Sequence, residues 1–524
     1  MKPAFAVPAF SLANQAGENV AFVGNAPAIV CFVKEDCETC RTVMPVLAAM
    51  YETFAGTVDF HVIGQTTDGN AVLLDEFSPP FSLLDDSELT VSFETDIETV
   101  PTLVIVGQAG ETQAAHVGFV REDWQDVISD LQQTFVTAEC PVDWPALPKW
   151  RPGCGSLSVD PIHAERLQAE ADNSPIRARK MELGSQDDEF EFMFDQGFTD
   201  GLPVVSPTPE RVLRMLAGTS RDPQELVAVM SPNMAKVTIE KIAINCVLAG
   251  CRPEYLPVVI AAVDAVCTDE FNIHGVMATT MGASPVLVVN GPIRHMLDMN
   301  MGLGALGQGN RANATIGRAL RLVIRNVGGA KPGGTERSTF SNPLKYTMCF
   351  PEWEERSCWD AQHVDRGFGP QESVVTVFAV SGGPTLIMDE QSLGGHSLAG
   401  SIGAATTTML NARAYGFSQC LMVISPEHVD TFARDNYSKD DVRRRMQESS
   451  AKSVRELGGK PGLSPEQFAA LSDVELDERV PKFGSDDEIE IVVAGSEAGK
   501  CTAFFHGWIP RAIGSLPVSR RIEV

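Results

Sequence analysis

Ala28-Ile29-Val30-Cys31-Phe32-Val33-Lys34-Glu35-Asp36-Cys37-Glu38-Thr39-Cys40 is the stretch on which this chain turns. Its first six residues form a short apolar run rich in β-branched side chains, which predicts a buried strand. A Cys-x-x-Cys pair follows at the start of a helix-like stretch carrying Pro45, and about sixty residues later comes Val100-Pro101-Thr102-Leu103-Val104. A strand that hands Cys37 to a helix N-terminus places its sulfur beside unpaired N–H groups and the positive end of the helix dipole, which favour thiolate over thiol. Cys37 is therefore the expected attacking sulfur. Cys40, one helical turn on, can close a disulfide that releases a trapped partner and is the expected resolving thiol. Pro101 sits before a strand-like run, where a cis peptide can bring backbone beside the dithiol.

Residues from about 18 to 135 resemble the thioredoxin superfamily in this order of strand, Cys-x-x-Cys, Pro45, Val-Pro-Thr turn, final hairpin and helix, over roughly a quarter of the chain. The resemblance implies the nucleophile at Cys37, the resolving thiol at Cys40 and a cis-proline at Pro101 lining the substrate face. Two departures stand out: Asp36 replaces the usual aromatic before the first cysteine, and Glu38-Thr39 replaces Gly-Pro between the two. Carboxylates beside sulfurs oppose thiolate formation, so the expected site is less acidic and more reducing than that of a strong oxidase. A structural zinc needs four ligands as a rule, and the chain has no second Cys-x-x-Cys. Dithiol redox chemistry is favoured over a zinc knuckle or an inactive scaffold.

The 524 residues leave nearly four hundred beyond this module, enough for two more lobes or one large domain. Apolar content of 44% and charged content of 21% fit a globular protein. A net charge of -28 would repel phosphate backbones and anionic head groups, so nucleic acid and membrane are poor partners. Twelve cysteines without framework spacing suggest reduced thiols. No apolar run approaches the ~20 residues of a membrane span, and the proline-broken start does not read as an export signal. The expected location is the cytoplasm, with the periplasm as the alternative.

The expected fold class is α/β: a thioredoxin-like domain over 1–135, a proline-rich connector over 136–185, and a larger α/β unit of one or two lobes, 186–366 and 367–524. The connector, with Trp144, Leu147 and Trp150 expected to seek burial, reads as a strap fastening the module to the rest. Helices are predicted for Glu210 to Ala217, Thr238 to Leu248 and Tyr255 to Val266, and a buried strand for Ser284 to Asn290. Strands Val374 to Val380, Cys420 to Ile424 and Glu488 to Ala494 each close on small or polar residues, as at the carboxyl edge of an open α/β sheet.

The Gly302 to Arg318 stretch lets backbone approach a ligand, and a helix from about Ala312 would aim N–H groups at an anion. Arg311 and Arg318 are the expected carboxylate or phosphate clamp, with Asn310 and Asn313 as amide partners. The spacing is neither a P-loop nor a dinucleotide loop, and no cofactor is expected. Cys251, at a helix junction beside Arg252, is a candidate nucleophile or recipient of electrons from the dithiol; plain packing is its alternative. His274 is a candidate acid or base, with a hydrogen-bonded core histidine as the alternative, and His428, at a helix start after a strand, is a further candidate, with the pairing of Glu427 and the helix dipole as the ordinary reading there. Cys154, between glycines, is expected to pair with Cys140 or take a disulfide from Cys37. No metal-ligand pattern is present.

Gly201 to Val205, the Cys251 segment and Asn310 to Leu320 resemble a bacterial family of uncharacterised proteins sometimes fused to thioredoxin-like modules; the resemblance carries no activity. The expected function is a thiol-disulfide oxidoreductase module supplying electrons, through Cys251 or Cys154, to a fused α/β catalytic unit acting on a small anionic substrate. Its alternatives are a thiol-dependent lyase or hydrolase maintained by the dithiol, and a client-binding protein that reshuffles disulfides. The expected partners are a small-molecule substrate and a thiol reductant, with a homo-oligomer possible.

Overall fold

The run Ala28–Val33 forms strand β1 with all six side chains buried, as expected of a strand covered on both faces. The structure is a computed structural model and describes residues 5–171, 174–179, 181, 183, 188–408, 415–459, 463–511 and 514–523. Residues 1–181 and 182–524 form two compact units.

In the first unit, β1 leads into helix α1 (Glu38–Phe54), followed by β2 (Asp59–Gly64), α2 (Thr67–Phe77) and β3 (Leu83–Asp85). After a short helix, Thr90–Glu94, come β4 (Thr99–Val100), β5 (Thr102–Val106), β6 (Thr112–Val117), β7 (Phe119–Val120) and α3 (Arg121–Phe135). The sheet order is β3-β2-β1-β5-β6, parallel across the first three strands and antiparallel across the last two. Helix α1 buries Cys40, Val43, Met44, Leu47, Met50 and Phe54, the three-and-four spacing of one helix face, despite Pro45 in its interior. Trp124 of α3 is fully buried in the same core.

The connector does not stand apart. Its strands β8 (Trp150–Arg151) and β9 (Cys154–Gly155) pair antiparallel with β7 and β4. The stretch expected to fasten two parts together is thus built into the first unit as far as its last described turns. Trp150, expected to seek burial, is 62% exposed, because its backbone is fixed by Val120 while its side chain faces out.

In the second unit, the expected helices are present as Pro209–Leu216, α4 (Ile239–Ala249) and α5 (Leu256–Val266), followed by β10 (Ser284–Asn290), α6 (Arg311–Asn326) and β11 (Cys349–Pro351). Then come β12 (Val374–Met388), α7 (Gly395–Ala405), β13 (Cys420–Ile424), α8 (Pro426–Arg434), α9 (Lys439–Ser450), β14 (Ile489–Val493), β15 (Cys501–Gly507) and β16 (Val518–Arg521). One seven-stranded sheet runs β11-β10-β12-β15-β13-β14, with β16 also on β12. It takes strands from both sides of position 366, so 186–366 and 367–524 are one body rather than two lobes. Strand β12 does not close at Ser381-Gly382-Gly383-Pro384 as expected but continues to Met388, its register shifting at those residues. Strands β12, β13 and β14 point the same way, yet antiparallel β15 lies between β12 and β13, giving a mixed sheet.

Candidate redox site

Cys37 is the N-cap of α1: its backbone is extended (φ -96, ψ 112) and its sulfur accepts the Cys40 amide at 3.4 Å. In the thiol form Cys37 donates to the Val100 carbonyl at 3.4 Å, and the Cys40 sulfur accepts the Lys34 amide at 3.3 Å. The Val100–Pro101 peptide is cis, and the Pro101 carbonyl accepts the Gly118 amide at 2.7 Å. Strand end, helix start and Val-Pro turn therefore converge on one sulfur.

A third cysteine joins them. The pairing of β9 with β4 sets Cys154 directly opposite Val100, the residue whose carbonyl Cys37 touches, and the two sulfurs influence each other's acidity. The backbone carrying it crosses the dithiol as a cover. The Thr39 hydroxyl donates to the Pro152 carbonyl at 2.5 Å, Arg151 pairs with Glu38 at 2.8 Å, and Lys34 donates to the Gly155 carbonyl at 3.1 Å. Farther along, the Ser156 amide donates to Glu98, and Gln65 bonds both the Ser156 hydroxyl and the Leu157 amide. A Cβ on Gly153 would come within 2.2 Å of the Thr99 methyl and 2.7 Å of the Val100 oxygen, so only glycine lets the cover lie this close. Beneath it Cys37 and Cys40 are both 0% exposed, while Cys154 keeps part of its surface in solvent.

The Cys37 thiol is pulled from its ordinary 9.0 to about 5, chiefly by the Cys40 thiol hydrogen bond, against burial, with further help from the Cys154 thiol and the Cys40 and Thr39 amides. Burial first, then the hydrogen bond and charge of Cys37, push Cys40 well above the usual range. A thiolate of this acidity is a competent nucleophile, still less acidic than the ~3.5 of the strongest dithiol oxidants. The expected opposition from the neighbouring carboxylates is offset, because Asp36 pairs with Lys34 at 3.1 Å and Glu38 with Arg151. The departures at Glu38 and Thr39 thus have a structural use: both side chains hold the cover. Cys140, the other partner considered for Cys154, is buried in the core.

These features identify the fold of the first unit. It is thioredoxin-like. The assignment stands on the strand order and on the meeting of Cys37, Cys40 and the cis Pro101. Solved structures similar to it include the thioredoxin domain of a thiol-disulfide oxidoreductase from Bacteroides vulgatus, at 16% identity and TM-score 0.22, covering 25% of this chain and 98% of that one. StoA from Bacillus subtilis is 18% identical with TM-score 0.20, covering 24% of this chain and 99% of that one. The exposed lipoprotein thioredoxin Etrx1 from Streptococcus pneumoniae is 14% identical with TM-score 0.21, over 24% and 99%. No protein-family model and no curated protein matches the chain.

In the second unit the three stretches singled out in sequence converge on α6. Arg318 donates to both oxygens of Asp200 at 2.9 and 2.8 Å and to the Pro203 carbonyl at 3.0 Å. Arg311 donates to the Gly250 carbonyl at 2.9 Å, and the Cys251 thiol to the Thr315 carbonyl at 3.4 Å. The four clamp residues do not meet around an open space. Arg318 is neutralised by Asp200, Asn310 caps α6 through the Asn313 amide, and buried Asn313 ties the Asn300 and Ala305 carbonyls. Arg311 remains exposed, as does Arg252. Gly317 faces Thr347 and Met348 with no room for a Cβ, which makes it a packing glycine. Cys251 is buried beside Cys246, whose thiol is pushed up by burial and then by Cys251. His274 is exposed on the short helix Ile273–Ala278, and among the described residues no hydrogen bond joins it to Cys251. His428 is buried and held by Thr502 and the Asp389 carbonyl, a structural histidine.

Sequence reasoning missed a buried polar cluster at the end of β10. Asn290 donates to Glu352 at 2.6 Å, as does the Gln362 amide at 2.8 Å, and His363 lies nearby with Glu354 at 3.9 Å. Burial lifts Glu352 to about 7. Its only sequence signal was Asn290 closing an apolar strand. Among the described residues, no group of three or more His, Cys, Asp or Glu is placed to hold a metal ion, and no helix is long and apolar enough to cross a membrane.

Proposed function

We propose that the first unit is a thiol-disulfide oxidoreductase in which Cys37 attacks a client disulfide and Cys40 resolves the resulting mixed disulfide. The observation that carries this reading is the N-cap sulfur of Cys37, which accepts the Cys40 amide and whose thiol is lowered to about 5. Cys37 thiolate attacks one client sulfur and expels the other. Cys40 then gives up its proton and attacks Cys37, forming the Cys37–Cys40 bond and releasing the client as a dithiol. Two electrons pass to the client, and an external thiol reductant restores the pair.

The larger unit is proposed to draw those electrons through Cys251 while it acts on a small anionic substrate. Exposed Arg311 and Arg252, beside the Cys251 junction, support that chemistry; Arg318 belongs to the scaffold. Fusion in one chain raises the effective thiol concentration to about the mM scale for a suitable link.

Redox titration of the full chain, read by alkylation and mass of the Cys37–Cys40 peptide, tests the core of this reading. The expected result is a reversible two-electron couple and client-disulfide reduction that Cys37→Ala abolishes. A pair that never interconverts between dithiol and disulfide overturns it.

A further inference from the structure

Nothing in disulfide exchange between Cys37 and Cys40 requires a third thiol, yet Cys154 lies against the nucleophile and is delivered by a segment fastened at five points. The segment is an antiparallel strand added to β4, the way an extended peptide docks on a sheet edge. Its cysteine is set opposite the very residue whose carbonyl touches Cys37. Gly153 allows the close approach, while just before it Thr39 holds the Pro152 carbonyl and Glu38 the Arg151 side chain. A client cysteine would need the same register.

We propose that Cys154 is a third redox thiol of the centre, an internal client that takes over the disulfide from Cys40 and serves as the port at which the thiol reductant enters. Resting on the dithiol function proposed above, the step starts from the Cys37–Cys40 disulfide. Cys154 loses its proton and attacks the Cys37 sulfur; the Cys37–Cys154 bond forms, the Cys37–Cys40 bond breaks, and Cys40 leaves as thiolate and takes up a proton. The exchange neither gains nor loses electrons. An external thiolate then attacks the Cys154 sulfur and expels Cys37, the most acidic thiol of the three and so the best leaving group. A second external thiol resolves that adduct, leaving three thiols here and one disulfide in the reductant.

Exposure supports this order, because Cys37 and Cys40 are sealed whereas Cys154 reaches solvent. Cys154 is pushed up to about 11 by burial, then by the hydrogen bond and charge of Cys37. The last two influences vanish once the Cys37 sulfur is in a disulfide, so Cys154 becomes a better attacker when it is needed.

The test uses the full chain and a disulfide-bonded insulin client, with non-reduced peptide mapping by mass spectrometry. Cys40→Ala, after one turnover, is expected to release client and accumulate a Cys37–Cys154 peptide. Cys154→Ser, oxidised by client, is expected to be re-reduced by dithiothreitol at least tenfold more slowly than the parent. Should the parent turn over through Cys37–Cys40 while Cys40→Ala stays locked to client with Cys154 alkylatable, and Cys154→Ser recover at the parental rate, the third-thiol role is overturned and the dithiol function stands. Should the parent fail to reduce client at all, the dithiol function fails, and with it this step.

Discussion

Cys37 and Glu352 respond to pH in opposite directions. Cys37 titrates in the fold near 5 instead of its ordinary 9.0. Its thiolate therefore stabilises the reduced protein fully above pH 9; the contribution declines as pH falls towards 5 and is gone below it. The urea midpoint of the reduced parent should exceed that of Cys37→Ala by a margin that shrinks steadily from pH 9 to 5, and thiolate ultraviolet absorbance should titrate near 5. Glu352 is raised from 4.5 to about 7 by burial, against Lys439 and its hydrogen bonds. Its ionisation burdens the fold increasingly between pH 4.5 and 7 and by a constant amount above. Glu352→Gln, which keeps an acceptor for Asn290 and the Gln362 amide, should gain up to about 3 kcal/mol over the parent by pH 7 and nothing more beyond it. A flat difference across pH would refute the assignment.

At the scale of elements, the cover over the dithiol depends on the absence of a side chain at Gly153. Gly153→Ala would force a methyl into Val100 and the Thr99 side chain, an overpacking of about 1–3 kcal/mol. The cover should loosen, and Cys37 should alkylate roughly tenfold faster, the change that ~1.4 kcal/mol brings; an unchanged rate would show that the cover does not limit access. On α6, Arg318→Ala strands the largely buried Asp200 and should cost about 3 kcal/mol, without the selective loss of substrate affinity that a ligand clamp would show. These elements mark what the sequence could tell. β1, α1 and the Val-Pro turn were legible because burial, capping and proline chemistry act over neighbouring residues. The path of 150–158 was not, since two-residue strands carry no periodicity and their pairing with Phe119–Val120 and Thr99–Val100 is non-local. The Arg318 ion pair was hidden for a similar reason: its counter-charge Asp200 lies 118 positions away. Gly382–Pro384 looked like an end to β12 because glycine and proline punctuate most strands, whereas here they bend one that goes on.

The whole molecule consists of two units with separate cores, one built around Phe54 and Trp124 and the other around the seven-stranded sheet. Calorimetry should resolve two unfolding transitions. Phe54→Ala, removing a fully buried ring at about 3–5 kcal/mol, should lower one of them and leave the other in place; a joint shift would mean that the units melt as one. The first unit also shows how redox tuning and steric access are joined in one tetrad. Glu38 and Thr39 each clasp the Arg151–Pro152 segment, so exchanging them for another inner pair to adjust the potential would also unlatch the lid. Engineers grafting this motif would have to transplant both halves of the clasp, and natural drift at either half would be answered at the other.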